Sequence, residues 1–255
     1  MFSLISKKYI KENLSDTPYK IEVKNSVTST NTIMKERAKN GDCDYSVLIA
    51  SKQTAGRGRM GRNFYSPQKS GLYMSVTLKL KAGENPLLIT TDAAVCAARV
   101  LEKMSGKDAL IKWVNDIYID SRKVCGILTE GVGEYAVLGI GINILPPKGG
   151  FPEDIKDKAG AVFEKKLPHI REDVAINFLR EFFSVSQKQE RSTMLSEYKT
   201  RSMILGREIL VLNTNEKAIA LDIADDYSLV VKKENGETVS LSSGDVSIVC
   251  GLRPQ

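Results

Sequence analysis

The longest regular alternation in the chain runs over 71–80, with Leu72, Met74, Val76, Leu78 and Leu80 on one side and Tyr73, Ser75, Thr77 and Lys79 on the other. This period of two predicts a strand with one face in the core and one turned outward. Apolar runs predict further strands at 21–23, 47–50 and 135–144. Two more runs within 111–130, joined by Asp120-Ser121-Arg122, predict a hairpin. Helical spacing appears three times. Ser29-Thr30-Asn31 precedes Ile33, Met34, Arg37 and Ala38, which reads as hydroxyl caps opening a short helix that ends near Gly41. Pro86 opens a helix rich in small residues that ends near Gly106. Val174, Phe178, Phe182 and Val185 form one stripe, with Leu179 and Phe183 beside it, and a second helical stretch reaches Lys199.

Two segments lack such order. Residues 1–20 carry weak periodicity and read as a lead-in, and 146–168, with four prolines, read as a surface crossing. From Gly206 the pattern changes to short strands at 208–212, 217–224, 228–233, 237–241 and 246–249, with turns at Asp225-Asp226 and Asn235-Gly236. Five such strands predict a small β-barrel that needs docking on a larger body. The chain therefore divides into a lead-in (1–20), a main domain (21–202) and a small domain (203–255), in keeping with its 255 residues.

Composition narrows the chemistry by exclusion. A net charge of +6 suits an anionic ligand, but the basic residues are spread along the chain and do not single out nucleic acid. No apolar run approaches the roughly 18 residues of a membrane span, and the N-terminal stretch has no signal-peptide core. Cys43, Cys96, Cys125 and Cys250 form no Cys-x-x-Cys pair, so neither zinc nor a disulfide framework is expected, and a cytoplasmic protein with reduced thiols is the economical reading. His169 is the single histidine, which excludes Ser-His-Asp, Cys-His and multi-histidine metal chemistry.

What remains is arginine, lysine, carboxylates and amides. Residues 53–62 follow Gln53 with an interleaving of Gly56, Gly58 and Gly61 with Arg57, Arg59 and Arg62, a composition suited to holding anions and expected to stay loose until one arrives. The spacing satisfies G-x-G-x-x-G, but another strand follows it instead of a helix, so the dinucleotide reading fails. Lys112, Asn115 and Asp116 interrupt an apolar run; Lys123 opens the next, with Gly126 leaving space beside it. Gly139 and Gly141 permit close approach in a later strand. Each feature alone also has a structural explanation: a helix cap, a turn pair, an edge lysine, a solvated basic hairpin.

In chain order, Ser29-Thr30-Asn31, Gln53 with the 56–62 loop, Lys112-Trp113-Val114-Asn115-Asp116, Lys123-Val124-Cys125-Gly126-Ile127-Leu128 and Gly139-Ile140-Gly141-Ile142-Asn143 resemble the ordered motifs of the biotin protein ligases. The β-rich tail resembles that family's C-terminal domain. The resemblance implies an α/β fold whose mixed-sheet catalytic domain is related to class II aminoacyl-tRNA synthetases, with a Src-homology-3-like barrel behind it. It implies ATP and biotin as substrates, Mg²⁺, and transfer of biotin from biotinyl-5′-AMP to a lysine of a biotin carboxyl carrier protein, of acetyl-CoA carboxylase or a related biotin-dependent enzyme. With about 20 residues before the first strand, the helix-turn-helix domain of some members is expected to be missing, and DNA binding with it. No membrane partner is expected, and a homodimer is left open.

By matched position, the resemblance assigns biotin to Ser29, Thr30, Asn31, Gln53, Gly56, Arg57, Arg59, Lys123 and Gly126. It assigns ATP to Arg57, Arg59, Arg62, Phe64, Lys112, Trp113, Asn115 and Asn143. Lys123, Arg59 and Asp116 become the catalytic set, with Asp116 near the metal. Phe64 stands where the family usually has tryptophan, Val114 where proline is common, and the last strand ends in Val249 where relatives often have arginine, the next arginine being Arg253. Two alternatives accompany this reading: a lipoate-type ligase on the same fold, and an RNA-binding module using the Arg/Gly loop.

Overall fold

A computed structural model describes residues 5–41, 43–81, 85–188, 191–242 and 244–249; Cys250 and Arg253 lie outside them. Seven strands form one sheet: β1 (Lys20–Lys24), β2 (Ser46–Ala50), β3 (Gly71–Lys79), β4 (Leu110–Lys112), β5 (Asp116–Ile119), β6 (Arg122–Val132) and β7 (Tyr135–Asn143). Their order is β1-β2-β3-β7-β6-β5-β4, with β1 and β2 parallel and the other neighbours antiparallel. The sheet is therefore mixed, as expected.

One face of this sheet carries the main core. Against it pack α3 (Pro86–Ser105) and α4 (Ile170–Lys188), with Ala93, Ala97 and Leu101 of α3 and Val174, Phe178 and Phe182 of α4 buried beside Met74, Ile127 and Ile140. Gly106 closes α3 in the left-handed conformation that only glycine adopts cheaply. The lead-in holds a helix that weak periodicity did not reveal, α1 (Lys7–Asn13), capped by Ser6 and seated on α4 through Ile10. There the single histidine stacks on Tyr9 with ring centroids 4.4 Å apart, a structural role.

The other face is where the structure departs from the simple alternation. The polar side of β3 is not solvated, because Tyr73, Ser75 and Thr77 are as buried as the apolar side. The reason is α2 (Thr30–Lys39), which covers this face at one end through Met34 and Ala38 against Leu48 and Val137, a second apolar cluster. Beyond α2 the same face is left for the residues described below.

After α5 (Arg191–Thr200) come β8 (Glu208–Val211), β9 (Glu216–Ile223), β10 (Leu229–Lys233), β11 (Thr238–Leu241) and β12 (Val246–Ile248). They form an antiparallel sheet ordered β11-β10-β9-β8-β12. The turn between β9 and β10 is tied to the first domain by the Trp113 indole, which donates to the Tyr227 carbonyl at 3.0 Å, and Tyr198 of α5, whose ring packs edge-on against Tyr227, donates its hydroxyl to the Val114 carbonyl at 3.0 Å.

Candidate active site

The floor is made of glycines that the strand register brings together. Gly126 of β6 pairs with Gly141 of β7, and Leu128 with Gly139. A side chain at Gly139 would start 1.9 Å from Asn31 Oδ1, and one at Gly141 would start 2.5 Å from the Phe64 ring. The bare backbone is therefore what lets α2 and Phe64 lie directly on the sheet.

Lys123 reaches this floor because β6 is irregular. Ile117 pairs with Cys125 but Tyr118 pairs with Lys123, so Val124 is an extra residue, a β-bulge. The bulge turns Val124 and Cys125 into the core and Lys123 onto the face of Gly126, whose added Cβ would lie 3.4 Å from Lys123 Nζ. Lys123 Nζ is 2.6 Å from Asp116 Oδ1, on the adjacent strand.

Helix α2 points its N-terminus at the same cavity. Ser29 is its N-cap, accepting from Thr32 N–H. Gln53 Oε1 accepts from Thr30 N–H at 2.8 Å and from the Thr30 hydroxyl at 3.1 Å, while Gln53 Nε2 donates to Ser66 Oγ at 2.9 Å. The Ser75 hydroxyl lies 2.6 Å from Asn31 Oδ1. This end of the cavity is uncharged and rich in paired donors and acceptors.

The Arg/Gly loop closes the cavity. It folds into a small hairpin in which Arg57 bridges to Asn63 and Gly58 N–H donates to the Arg62 carbonyl at 2.7 Å. Protein groups supply the partners that the sequence reading left to a ligand. Arg59 donates to Asn115 Oδ1 at 3.2 Å and to the Gly244 carbonyl at 3.1 Å. Arg62 lies 2.8 Å from Asp245, the residue before β12, and Arg57 3.4 Å from Glu130. Asn115 is held in turn, its Nδ2 donating to the Ile127 carbonyl at 2.6 Å.

The cavity, open to solvent on one side, has a volume of about 110 Å³, and its wall includes Ser29, Thr30, Asn31, Gln53, Arg57 and Arg59 together with Arg62, Phe64, Asn115, Asp116, Lys123 and Gly126. Twelve sequence-predicted residues thus converge. Four do not line it. Trp113 is buried at the junction of the two sheets, and Asn143 sits at the end of β7, its carbonyl accepting from Val162 N–H. Gly56 lies behind Phe64 and Ser66. Lys112, across the strand register from Asp116, stays beneath the wall; burial is the main reason its pKa falls below the ordinary lysine value, against the pull of Asp116. Sequence reasoning missed Asp245, which reaches the cavity from the other sheet and carries no local signal, and the apolar wall residues Ile127, Leu128 and Ile140, which read simply as strand.

Among the described residues no group of three or more His, Cys, Asp or Glu is placed to hold a metal ion. Asp116 and Asp245 are the carboxylates on the cavity wall.

Residues 23–145 match the profile of the biotin/lipoate A/B protein ligase family, and residues 204–249 match the biotin protein ligase C terminal domain. The chain is 30% identical over 226 residues to the bifunctional ligase/repressor BirA of Bacillus spizizenii, a match covering 82% of this chain and 68% of that protein. It is 29% identical to the biotin–[acetyl-CoA-carboxylase] ligase of Mycobacterium tuberculosis, covering 86% and 85%. Among solved structures, the biotin protein ligase of Aquifex aeolicus in complex with biotin and ATP superposes with a TM-score of 0.78 at 27% identity, covering 89% of this chain and 97% of that one.

Proposed function

This chain belongs to the biotin protein ligase family, and from that premise we propose that the cavity on the glycine floor is where its two substrates are joined. The activity is ATP-dependent ligation of biotin to a carrier protein. The lysine acceptor lies on a biotin carboxyl carrier protein of a biotin-dependent enzyme, that of acetyl-CoA carboxylase being the leading candidate.

The physical difficulty of the first step is bringing a carboxylate against the α-phosphate of ATP. At ~4 Å and an effective dielectric of ~20, two unit charges of like sign cost about 4 kcal/mol. Arg59 and Lys123 face the same cavity, already oriented by Asn115 and Asp116. Fixed cations of this kind stabilise developing charge without reorganising when the carboxylate oxygen attacks phosphorus and pyrophosphate leaves. This convergence is the observation that carries the assignment. The ureido ring belongs at the uncharged end, where Thr30, Ser29 and Gln53 offer hydrogen bonds to a neutral polar group. The nucleotide then lies toward Asn115, Arg62 and Asp245.

A cavity of about 110 Å³ is smaller than the ~300–1,000 Å³ of ligand sites, so Phe64, whose ring rests on Gly126 and Gly141, lifts to admit the ligand and then covers it. Mg²⁺ at nucleotide sites is usually met by one or two carboxylates and the substrate's phosphates, and of the carboxylates here Asp116 would hold it, since Asp245 is paired with Arg59 and Arg62. When bound it offsets phosphate charge. In the second step the carrier lysine, with a pKa near ~10.4, loses a proton before its nitrogen attacks the acyl carbon and AMP departs. Asp116 takes that proton, in competition with its ion pair to Lys123. We further assign residues 21–202 to catalysis and 203–255 to a C-terminal domain that completes the cavity through Asp245.

The test is pyrophosphate exchange into ATP. Exchange that requires biotin and ignores lipoate supports the proposal; exchange driven by lipoate, or none, contradicts it. A steeply salt-dependent RNA affinity without turnover would instead favour the nucleic-acid alternative.

A further inference from the structure

Glu130 stands just behind the cavity wall, and the ligase motifs assign it no role. Its carboxylate binds groups on two separate elements. Oε1 lies 2.7 Å from Lys35 Nζ and 3.4 Å from the Arg57 guanidinium, and Oε2 accepts from Asn31 Nδ2 at 3.1 Å. Asn31 and Lys35 are one turn apart on α2, Arg57 begins the Arg/Gly loop, and Glu130 itself lies on β6, so one side chain joins a helix and a lid to the sheet. Asn31 and Arg57 line the cavity.

A carboxylate here is not needed to dock α2. Met34, Ala38, Leu48, Tyr135 and Val137 already form a closed apolar cluster beneath that helix, with Met34 fully buried. Nor does the fold need a charge tied to an exposed lid arginine. What the arrangement does supply is a fixed position for Arg57, which has 45% of its side chain exposed and Glu130 as its ion-pair partner. Glu130 lies seven residues along β6 from Lys123, one of them the bulged Val124, which leaves about 20 Å at ~3.3 Å per regular step, and so acts at the opposite end from the Lys123–Asp116 pair.

We propose that Glu130 is a positioning residue for the ureido end of the biotin site, holding Arg57 and Asn31 in place so that the lid closes over the ligand. The proposal rests on the ligase reading. It predicts a selective effect: of the two ligands matched to Arg57, its tie to Glu130 beside Asn31 sets it to biotin, so Glu130 governs biotin binding and leaves ATP binding and the chemical step alone.

The experiment is steady-state pyrophosphate exchange with wild type, Glu130→Ala, Glu130→Gln and Lys35→Met, with thermal unfolding as a check on the fold. Glu130→Ala should raise the KM for biotin about tenfold, the scale of one lost charge-assisted hydrogen bond, with kcat and the KM for ATP within about twofold of wild type. Glu130→Gln keeps an acceptor for Asn31 but loses the charge facing Arg57, and should raise it about threefold. Lys35→Met should stay within about twofold, being remote from the wall. In an Arg57→Ala background, Glu130→Gln should add nothing further. Should Glu130→Ala fail to fold, the Gln variant and its cycle with Arg57 carry the decision. An unchanged biotin KM in folded Glu130 variants, a parallel rise in the KM for ATP, or additivity with Arg57→Ala overturns the proposal. Wild type is measured first: no biotin-dependent exchange there refutes the ligase reading, and this one with it.

Discussion

Val124, an apolar residue with no chemistry of its own, decides where Lys123 points. As the extra residue of the β6 bulge it sets the lysine on the glycine floor instead of in the core. The motif made Lys123 legible in the sequence; the bulge was not, because periodicity averages over one inserted position. Lys123→Ala should lower kcat for adenylate formation by about 10²–10³ while moving the biotin KM little, as expected for a cation that acts on charge present chiefly in the transition state. Parallel-quench measurement of pyrophosphate release checks it. Glu130 gives a second residue-scale test. Burial pushes its carboxyl upward, but Lys35, Asn31 and Arg57 more than offset this and hold it below the usual value of 4.5. A depressed folded pKa contributes stability above the unfolded value and loses it as pH falls through the folded one. The stability difference between wild type and Glu130→Gln should therefore be constant near neutrality and shrink below about pH 4.5 in denaturant titrations. A difference that grew on acidification would contradict the assignment.

The elements show which sequence signals carried structural information. Helices α3 and α4 were legible because each buries one continuous stripe and α3 is bracketed by Pro86 and Gly106. Helix α1 was not, since seven residues offer too few apolar positions to set a period. Strand β3 was legible as a strand but not in its surroundings. Its polar side is covered by protein, with Ser75 bonded to Asn31 of the cavity wall and Thr77 to the Cys43 carbonyl beside the cluster under α2, and alternation alone cannot distinguish that cover from solvent. The Arg/Gly loop was read as loose because its charges repel; the carboxylates that quiet them, Glu130 and Asp245, come from distant sequence. A further set of distant charges joins helices on the opposite face. Arg99 of α3 contacts Glu181 of α4 at 2.7 Å and Glu197 of α5 at 2.5 Å, and Arg201 reaches Glu197 and Glu102. Removing the central carboxylate by Glu197→Ala leaves two guanidinium groups partly buried and should cost about 2 kcal/mol, below the ~3–5 of a fully buried pair because Glu197 retains some exposure. At this chain length that lowers Tm by about 4–8 °C. Activity in the folded variant should be unchanged.

At the scale of the whole molecule the two sheets depend on each other. Trp113 was matched to the nucleotide site, yet its indole is buried and bonds to Tyr227 in the turn between β9 and β10, while Arg59 and Arg62 reach Gly244 and Asp245 just ahead of β12. Sequence order showed that a small β unit follows the main one; it held no sign of which side chains cross between them, since such contacts join residues more than a hundred positions apart. Trp113 is the chain's single tryptophan, so its fluorescence reports on this junction. In urea, the fluorescence and far-ultraviolet circular dichroism transitions should share one midpoint, because undocking exposes apolar surface on both sides. An earlier fluorescence transition would show that the junction opens separately. The account as a whole rests on cations converging where two anions are joined. A crystal structure of this protein with biotin and ATP tests that most directly. We predict biotinyl-5′-AMP on the floor of Gly126 and Gly141, its carboxyl–phosphate linkage within hydrogen-bond reach of Lys123 Nζ and Arg59, and its ureido ring at Thr30 and Gln53. An adenylate bound elsewhere, or one whose linkage meets neither Lys123 nor Arg59, would contradict it.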